Sequence, residues 1–317
     1  MAQLDLDIAL GLRSYELRVA LGVDRETVAL VGPSGAGKTT VLQSIAGLRR
    51  PDRGRIAVGG RAWFDPEERV NLPPEQRSVG LVFQEYALFP HMSVRANVAY
   101  GGPDRVDELL ERFGISHLAR VRPTAISGGE RQRVALARAL ARGPDVLLFD
   151  EPLSALDAHT RTVVRAELED LLAELRLPTL IVTHDMRDAT ALADRIGVMA
   201  DGELRQLGRL PELLERPADA FVARLTGANV LPGLAGDGEA VVVHPWELSL
   251  AVAHPDGAPA VGGVVHGVVP EGDRVRVRVG DVVVLVDEGE LERLGLERGA
   301  PAWAVLPPGA PRVVPLS

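Results

Sequence analysis

Cysteine is missing from the 317-residue chain. Disulfides and thiolate metal sites are therefore excluded, and a reducing cytoplasm is the natural compartment. No run of about 18 apolar residues occurs, so no segment reads as a membrane-spanning helix. The opening Met1-Ala2-Gln3-Leu4-Asp5 has neither a basic n-region nor an apolar h-region, and no signal peptide is expected. An excess of positive charge is also lacking: the net charge is -9 and the pI about 5.4. Phosphate neutralisation along a nucleic acid needs a basic face, so a nucleic-acid scaffold is not expected. Lysine is almost absent. Lys and Arg together number 35, and Lys38 is the sole lysine. An arginine-favouring codon bias accounts for the imbalance, but the place of the exception is informative. A narrow phosphate cradle accepts a compact ammonium and excludes a wide planar guanidinium.

With 46% hydrophobic and 25% charged residues the chain is globular, and its length suits two domains. Apolar residues alternate through Leu4, Leu6, Ile8 and Leu10, and again through Tyr15, Leu17, Val19 and Leu21, predicting two antiparallel strands. Thr27 to Val31 is a short apolar strand, and a helix is expected from Lys38 to about Leu48. Arg55 to Phe64 reads as a hairpin turning at Gly59-Gly60, and Ser78 to Gln84 as a buried strand. Asp104 is placed to cap a helix carrying Val106, Leu109, Leu110 and Phe113 on one face. A helix over Glu130 to Ala141 stops at Gly143-Pro144. Then come a strand at Asp145 to Asp150, a helix at Ala158 to Leu175 capped by Asp157, and strands at Thr179 to Thr183 and Ile196 to Met199. A turn at Asp201-Gly202 follows, and then one or two helices from Pro211 to Leu225. Strands alternating with helices predict a mostly parallel α/β core. Past Gly227 short valine runs (Val241 to Val243, Val275 to Val279, Val282 to Val286) broken by Gly, Pro and Asp predict a small all-β unit. The expected domains are 1–226 and 227–317, with a helical subdomain at about 86–142.

Three motifs carry chemistry. Gly32-Pro33-Ser34-Gly35-Ala36-Gly37-Lys38-Thr39-Thr40 fits G-x-x-x-x-G-K-T between a predicted strand and a predicted helix, the context such a phosphate loop requires. Backbone N–H groups and the helix dipole would cradle ATP, Lys38 would reach the β- and γ-phosphates, and Thr39 would ligate Mg2+. Val146 to Asp150 is a buried strand ending in acid. Asp150 is suited to hold magnesium and Glu151 to orient the attacking water, although two acids at a strand end can also be a cap or a solvated turn. Ser127-Gly128-Gly129, opening a helix, offers a second anion-binding surface, or an ordinary cap. One nucleotide needs one cradle, so two cradles make sense where two chains meet head to tail.

These residues resemble the ATPase subunit of an ABC transporter. Gly32 to Thr39 resembles Walker A, Val146 to Asp150 Walker B, and Ile126 to Glu130 the Leu-Ser-Gly-Gly-Gln signature. Val82-Phe83-Gln84 resembles the Q-loop, Ser154-Ala155-Leu156-Asp157 the D-loop, and Ile181 to Asp185 the switch-histidine segment. The match covers about Leu4 to Gly227. The resemblance implies a P-loop (RecA-like) α/β ATPase core with antiparallel β and helical subdomains, followed by a small OB-like β domain. It implies Glu151 as catalytic carboxylate, Gln84 as sensor of magnesium and water, and His184 as a γ-phosphate contact. Asp157 would signal across a homodimer, and Ser127, Gly128 and Gly129 would bind the ATP held by the other copy. It also implies separate membrane permease subunits docked near Gln84 to Tyr100, a binding protein outside the membrane, and a peripheral position on its cytoplasmic face.

The chain departs from the pattern in three places. The signature has Ile126 for Leu and Glu130 for Gln, with the Glu130 side chain expected on the helix face beside Arg133. The aromatic expected to stack on adenine aligns near Leu10, leaving Tyr15 as the nearest aromatic, with a plain strand-face role as its competitor. The stretch between Gln84 and Ser127 is short. Downstream, Gly227 to Gly233, His244-Pro245-Trp246-Glu247 and Gly267 to Gly280 resemble the accessory domain of oxyanion importers. The similarity is greatest to molybdate and sulfate ATPase subunits, which favours molybdate or tungstate over sulfate, ferric iron, polyamine or sugar. The other histidines (His91, His117, His159, His244, His254, His266) lack metal-ligand spacing and read as surface or loop residues. The arginines from Arg131 to Arg142 read as a solvated or salt-bridged helix face. A non-transport ABC protein would carry two ATPase domains or a coiled-coil insertion with basic surfaces. A small-molecule P-loop kinase would not need Ser127 to Gly129 or Asp157.

Overall fold

The computed structural model describes residues 3–308 and 312–316. Met1 and Ala2, which open the stretch read for a signal peptide, and Ser317, the last residue of the expected β domain, lie outside the described residues. The chain divides into two compact units, Met1–Leu210 and Pro211–Ser317.

In the first unit, β1 (Leu4–Gly11) and β2 (Glu16–Val23) pair antiparallel, with Leu4 opposite Val23 and Gly11 opposite Glu16. Leu4, Leu6 and Ile8 point inward, as their period of two requires. β3 (Thr27–Val31) is buried throughout and leads through the glycine-rich loop into α1 (Lys38–Ile45). β4 (Arg53–Val58) and β5 (Arg61–Asp65) form the hairpin expected at Gly59-Gly60, and the short β6 (Val70–Asn71) joins its edge.

Next come β7 (Val79–Val82), α2 (Val94–Gly101), α3 (Val106–Arg112), α4 (Gly128–Leu140), β8 (Val146–Asp150) and α5 (Ala158–Leu175). The unit continues with β9 (Thr179–Val182), α6 (Met186–Leu192), and the antiparallel pair β10 (Arg195–Ala200) and β11 (Glu203–Gly208). The sheet order is β6-β5-β4-β1-β2-β11-β10-β3-β9-β8-β7, with β10, β3, β9, β8 and β7 parallel. Parallel strands are covered on both faces and so read as unbroken apolar runs, which is why β3, β8 and β9 were legible. Along β8, Leu147 and Phe149 enter one core with Val98, Leu109, Val134 and Leu168. Val146 and Leu148 enter the other with Val41, Leu42 and Ile45 of α1. Each such side chain contributes about 1.5–3 kcal/mol by burial.

Three details of this unit differ from expectation. α1 ends at Ile45, short of Leu48. Asp104 does not cap α3, whose N-cap is Arg105 without a side-chain bond. α4 begins at Gly128 rather than Glu130, because Ser127 supplies its cap. The unit also buries an arginine. Arg77 is 2% exposed and donates to the carbonyls of Leu72, Ser44 and Ile45, each at 2.8 Å. Ser44 and Ile45 end α1; the guanidinium serves the Ile45 carbonyl and joins the Gly47 N–H on that of Ser44. Burial lowers its pKa to about 10.

The second unit starts with α7 (Leu210–Glu215) and α8 (Ala220–Leu225). Ala220 and Ala223 pack with Ala228, Val242 and Val314, so α8 belongs with the β strands that follow the texture change at Gly227. One antiparallel sheet runs β12 (Asn229–Pro232), β13 (Glu239–Val243), β19 (Arg312–Pro315). The other runs β14 (Ser249–Ala251), β18 (Pro301–Val305), β15 (Ala260–Glu271), β16 (Arg274–Val279), β17 (Val282–Asp287), with α9 (Glu288–Leu294) after it. Val277 pairs with Val284, and the alternation buries Val275, Val277, Val279, Val282, Val284 and Val286.

His244 lies in a loop, one of the two places expected of it, but it is buried and not at the surface. It is 2% exposed, with Nε2 3.0 Å from the Leu214 carbonyl, and Trp246 stacks on it at 4.4 Å. Glu247 accepts from the His244 N–H and from both terminal guanidinium nitrogens of Arg312, at 2.6 and 2.9 Å. The His-Pro-Trp-Glu turn thus ties α7 to β19. No helix among the described residues is long and apolar enough to cross a membrane.

Candidate nucleotide site

The register of the parallel strands assembles the site. Val82 of β7 lies beside Phe149 of β8, and Asp150 beside Val182 of β9. Leu30 of β3 lies beside the same Val182. The glycine-rich loop, Gln84, Asp150-Glu151 and Thr183-His184 therefore all leave the carboxyl ends of neighbouring parallel strands, where α/β sheets place their ligands.

Gly32 opens the loop with φ 151°, and a Cβ there would lie 2.0 Å from the Met199 carbonyl oxygen. No other residue fits at that point. Lys38 is 6% exposed. Its Nζ donates to the carbonyls of Gly32 and Pro33 at 2.8 Å each, so the ammonium is aimed into the loop. Burial lowers its pKa, while the charges of Glu151 and Asp150 oppose that shift. Thr39 Oγ1 donates to Asp150 Oδ1 at 3.0 Å. Burial raises the Asp150 pKa; the Thr39 hydrogen bond lowers it, Glu151 raises it and Lys38 lowers it. Thr39 and Asp150 together present hard oxygen donors of the kind Mg2+ takes.

Glu151 sits in the left-handed region at φ 48°, its N–H donating to the Val182 carbonyl at 2.8 Å. Such a conformation costs about 1–3 kcal/mol and aims the side chain away from the strand direction. One carboxylate oxygen accepts from Gln84 Nε2 at 3.3 Å, and the other lies 3.2 Å from His184 Nδ1. Gln84, Glu151 and His184, far apart in sequence, form one cluster.

Ser127, Gly128, Gly129 and Asp157 line a different feature, an open cleft of about 550 Å³ between the start of α4 and the start of α5. Asp157 caps α5, accepting from the N–H groups of His159 and Thr160 at 3.1 and 3.0 Å; its pKa is lowered, first by the Thr160 side chain and then by these backbone bonds. Ser127 caps α4. Its hydroxyl and its N–H both donate to Glu130 Oε2 at 2.8 Å, and Glu130 N–H donates back at 3.3 Å. Glu130 therefore turns onto the cap, and not toward Arg133, which pairs with Glu167. Nor are all the α4 arginines solvated or salt-bridged: Arg131 and Arg138 donate to backbone carbonyls.

Tyr15 proves to be a loop contact. Its hydroxyl donates to the Gly35 carbonyl, and its ring edge faces Gly202. Leu10 is a core residue. The signal for Tyr15 was its place at the β1–β2 turn, which alternation alone did not distinguish from a strand face.

Residues 18–154 match the family described as "ABC transporter". The sulfate/thiosulfate import ATP-binding protein of Synechocystis is 38% identical over 302 residues, covering 87% of this chain and 82% of that protein. The chain belongs to the ABC transporter family. It is an importer-type ATP-binding subunit, a transport ATPase. The spermidine/putrescine import ATP-binding protein of Marinobacter nauticus is 41% identical, covering 84% of the chain and 72% of that protein. The trehalose/maltose import ATP-binding protein of Thermococcus litoralis is 46% identical over 65% of the chain, which spans only 58% of that relative. Among solved structures, a dimeric ATP-binding cassette in a post-hydrolysis state bound to ADP and Pi is 28% identical. It has a TM-score of 0.54 and covers 65% of this chain and 98% of its own.

Proposed function

We propose that the chain works as a homodimer on the cytoplasmic face of a membrane, where it hydrolyses ATP to drive uptake of an oxyanion through separate permease subunits supplied by an external binding protein. The observation that carries this reading is the cluster of Gln84, Glu151 and His184 beside the Thr39–Asp150 hydrogen bond, with the Ser127–Asp157 cleft apart from it. One chain then holds ATP on Gly32 to Thr40, and a second copy closes it with Ser127, Gly128 and Gly129. The dimeric cassette solved with ADP and Pi supports the pairing.

The loop N–H groups and Lys38 bind the β- and γ-phosphates. Thr39, Asp150 and Gln84 would hold Mg2+, Asp150 through water, and the ion would neutralise charge on the phosphates. Glu151 orients a water in line with the γ-phosphorus and accepts its proton as the P–O bond to the β-phosphate breaks. His184 donates to the γ-phosphate, and its contact with Glu151 keeps both groups at the reacting end. Asp157 passes the state of one site to the other copy. Tyr15, on the loop, offers its ring to the base.

For the substrate, sulfate/thiosulfate relatives and a spermidine/putrescine relative match over comparable lengths, 87% and 84% of the chain for one of each, so both cargo classes are carried into the test. Molybdate or tungstate is the reading we carry from the Gly227–Gly280 resemblance, with sulfate, polyamine, ferric iron and sugar as the competing cargoes. ATPase activity of the subunit, reconstituted with its permease and binding protein, tests this across all of them. Stimulation by molybdate or tungstate is expected. Stimulation by a sugar or a polyamine alone overturns the oxyanion assignment.

A further inference from the structure

The backbone just after Gln84 is held in an unusual way. Tyr86 and Ala87 are consecutive non-glycine residues in the left-handed region, at φ 62° and 44°. One side chain takes the carbonyls of both: Arg138 donates to the Tyr86 carbonyl at 2.7 Å and to the Ala87 carbonyl at 2.8 Å. The guanidinium also lies 5.7 Å from the centre of the Phe89 ring, which meets Tyr100 edge-on at 4.6 Å. Arg138 has no acidic partner in these bonds, and burial lowers its pKa. A planar fork suits two neighbouring carbonyls and an aromatic face at once, whereas a lysine would offer the carbonyls a point donor and lay no planar face against the ring.

Arg138 belongs to the last turn of α4, and α4 begins at Ser127 and Gly128. A second helix grips the same segment. Asn97 of α2 accepts from the Phe89 N–H at 2.8 Å and donates to the Phe89 carbonyl at 3.1 Å. α2 in turn abuts α4 at Arg138 itself, where a Cβ on Gly101 would lie 2.0 Å from the Arg138 carbonyl oxygen. Residues 85–92 are thus fastened to α4 and α2, while Gln84 at their head touches Glu151. At the far side Tyr100 is 66% exposed.

We propose that Arg138 is a positioning residue that locks the Tyr86–Ala87 turn to α4, so that residues 85–92 move as one body with Ser127–Gly129. The inference rests on the reading that Ser127 to Gly129 close on ATP held by a second copy. When they close, the guanidinium carries that displacement along α4 to the Phe89–Tyr100 surface. Arg138 touches no nucleotide and takes no part in the chemistry.

The full-length chain with Glu151→Gln, which is expected to hold ATP-bound dimers, is the parent for the test. Hydrogen exchange of residues 85–92 is followed with and without ATP, and gel filtration reports dimers in the same samples. The parent should dimerise and change its exchange in 85–92. Adding Arg138→Gln should leave the ATP midpoint for dimerisation within about threefold and reduce the ATP-linked change in 85–92 by about fivefold or more. Adding Arg138→Lys, which keeps the stem and the charge, should retain less than half of the change. Either variant overturns the proposal if it folds and shows the parent's full response in 85–92. If the parent forms no ATP-dependent dimer, the two-copy clamp fails and this inference falls with it.

Discussion

Glu151 Oε1 and His184 Nδ1 lie 3.2 Å apart across the ends of two adjacent parallel strands. The contact links the carboxylate suited to activate water with the imidazole suited to meet the γ-phosphate. It depends on the left-handed backbone of Glu151, which turns that side chain toward β9. Glu151→Gln keeps the shape and the Gln84 contact but removes the proton acceptor. Turnover should fall by about 10²–10⁴, with ATP affinity preserved and dimers accumulating. Single-turnover ATPase assays together with equilibrium binding check this; near-normal turnover would remove Glu151 from the chemistry.

Lys38 is the one lysine in an arginine-rich chain, buried and bonded to two loop carbonyls. Lys38→Ala should abolish tight ATP binding. Lys38→Arg is the sharper experiment, because charge is kept while a planar fork replaces a point donor in a loop so close to β10 that a Cβ at Gly32 would lie 2.0 Å from the Met199 carbonyl oxygen. Its ATP affinity should fall nearly as far as that of Lys38→Ala. Affinity within a few-fold of the parent would show that the loop tolerates a guanidinium and that the lone lysine is a matter of descent.

The elements legible in sequence were those whose pattern is local. Wholly buried strands read as apolar runs, and the phosphate loop declares itself by its glycines and the helix behind it. Asp150-Glu151 and His184 were legible because each follows such a strand. What stayed hidden was tertiary. Asn97 and Arg138 look like ordinary helix residues until the loop they hold is folded against them. The burial of His244 depends on Leu214 and Arg312, far from it in sequence. Glu130 faced two plausible partners, and only the helix starting at Gly128 decided for Ser127.

Arg77 is another such residue, with no sequence signal for its buried place at the end of α1. Arg77→Met would leave the Ile45 carbonyl without its donor and the Ser44 carbonyl with the Gly47 N–H alone, at a cost of about 1–3 kcal/mol. The midpoint of chemical unfolding should move to lower denaturant by a corresponding amount. Arg77→Lys should also destabilise, since one ammonium cannot reach the carbonyls of Leu72, Ser44 and Ile45 together. A midpoint unchanged in both variants would show that water replaces the guanidinium at no cost.

Asp150 sets a pH dependence. Its pKa is raised, chiefly by burial, with Glu151 adding to the rise and Thr39 and Lys38 opposing it. On the proposed reading Mg2+ is held by the carboxylate, so the form that would bind the ion is the one disfavoured by burial. As pH is lowered, the magnesium concentration required for half-maximal ATPase should begin to climb at a higher pH than an ordinary aspartate would give. Asp150→Asn should require high magnesium at every pH. A parent requirement that stays flat down to the ordinary aspartate range would mean that burial does not govern the group.

Glu130 is the residue where the chain departs most from the family signature, and its contacts give the departure a consequence. The Ser127 hydroxyl and N–H, the donors needed by an incoming phosphate, are both held by the Glu130 carboxylate at 2.8 Å. These hydrogen bonds lower the Glu130 pKa, so the acid is charged where the second copy's ATP would arrive. A like charge near an exposed phosphate costs about 1 kcal/mol in water at contact distance. Glu130→Gln keeps an acceptor for the cap and removes that charge. In the Glu151→Gln background, the ATP concentration for half-maximal dimerisation should fall by about threefold to tenfold, read by gel filtration. Ser127→Ala should raise it, because the cap and the phosphate donor are lost together. A midpoint that rises with Glu130→Gln would mean that the carboxylate strengthens the clamp by organising the α4 terminus more than its charge weakens it.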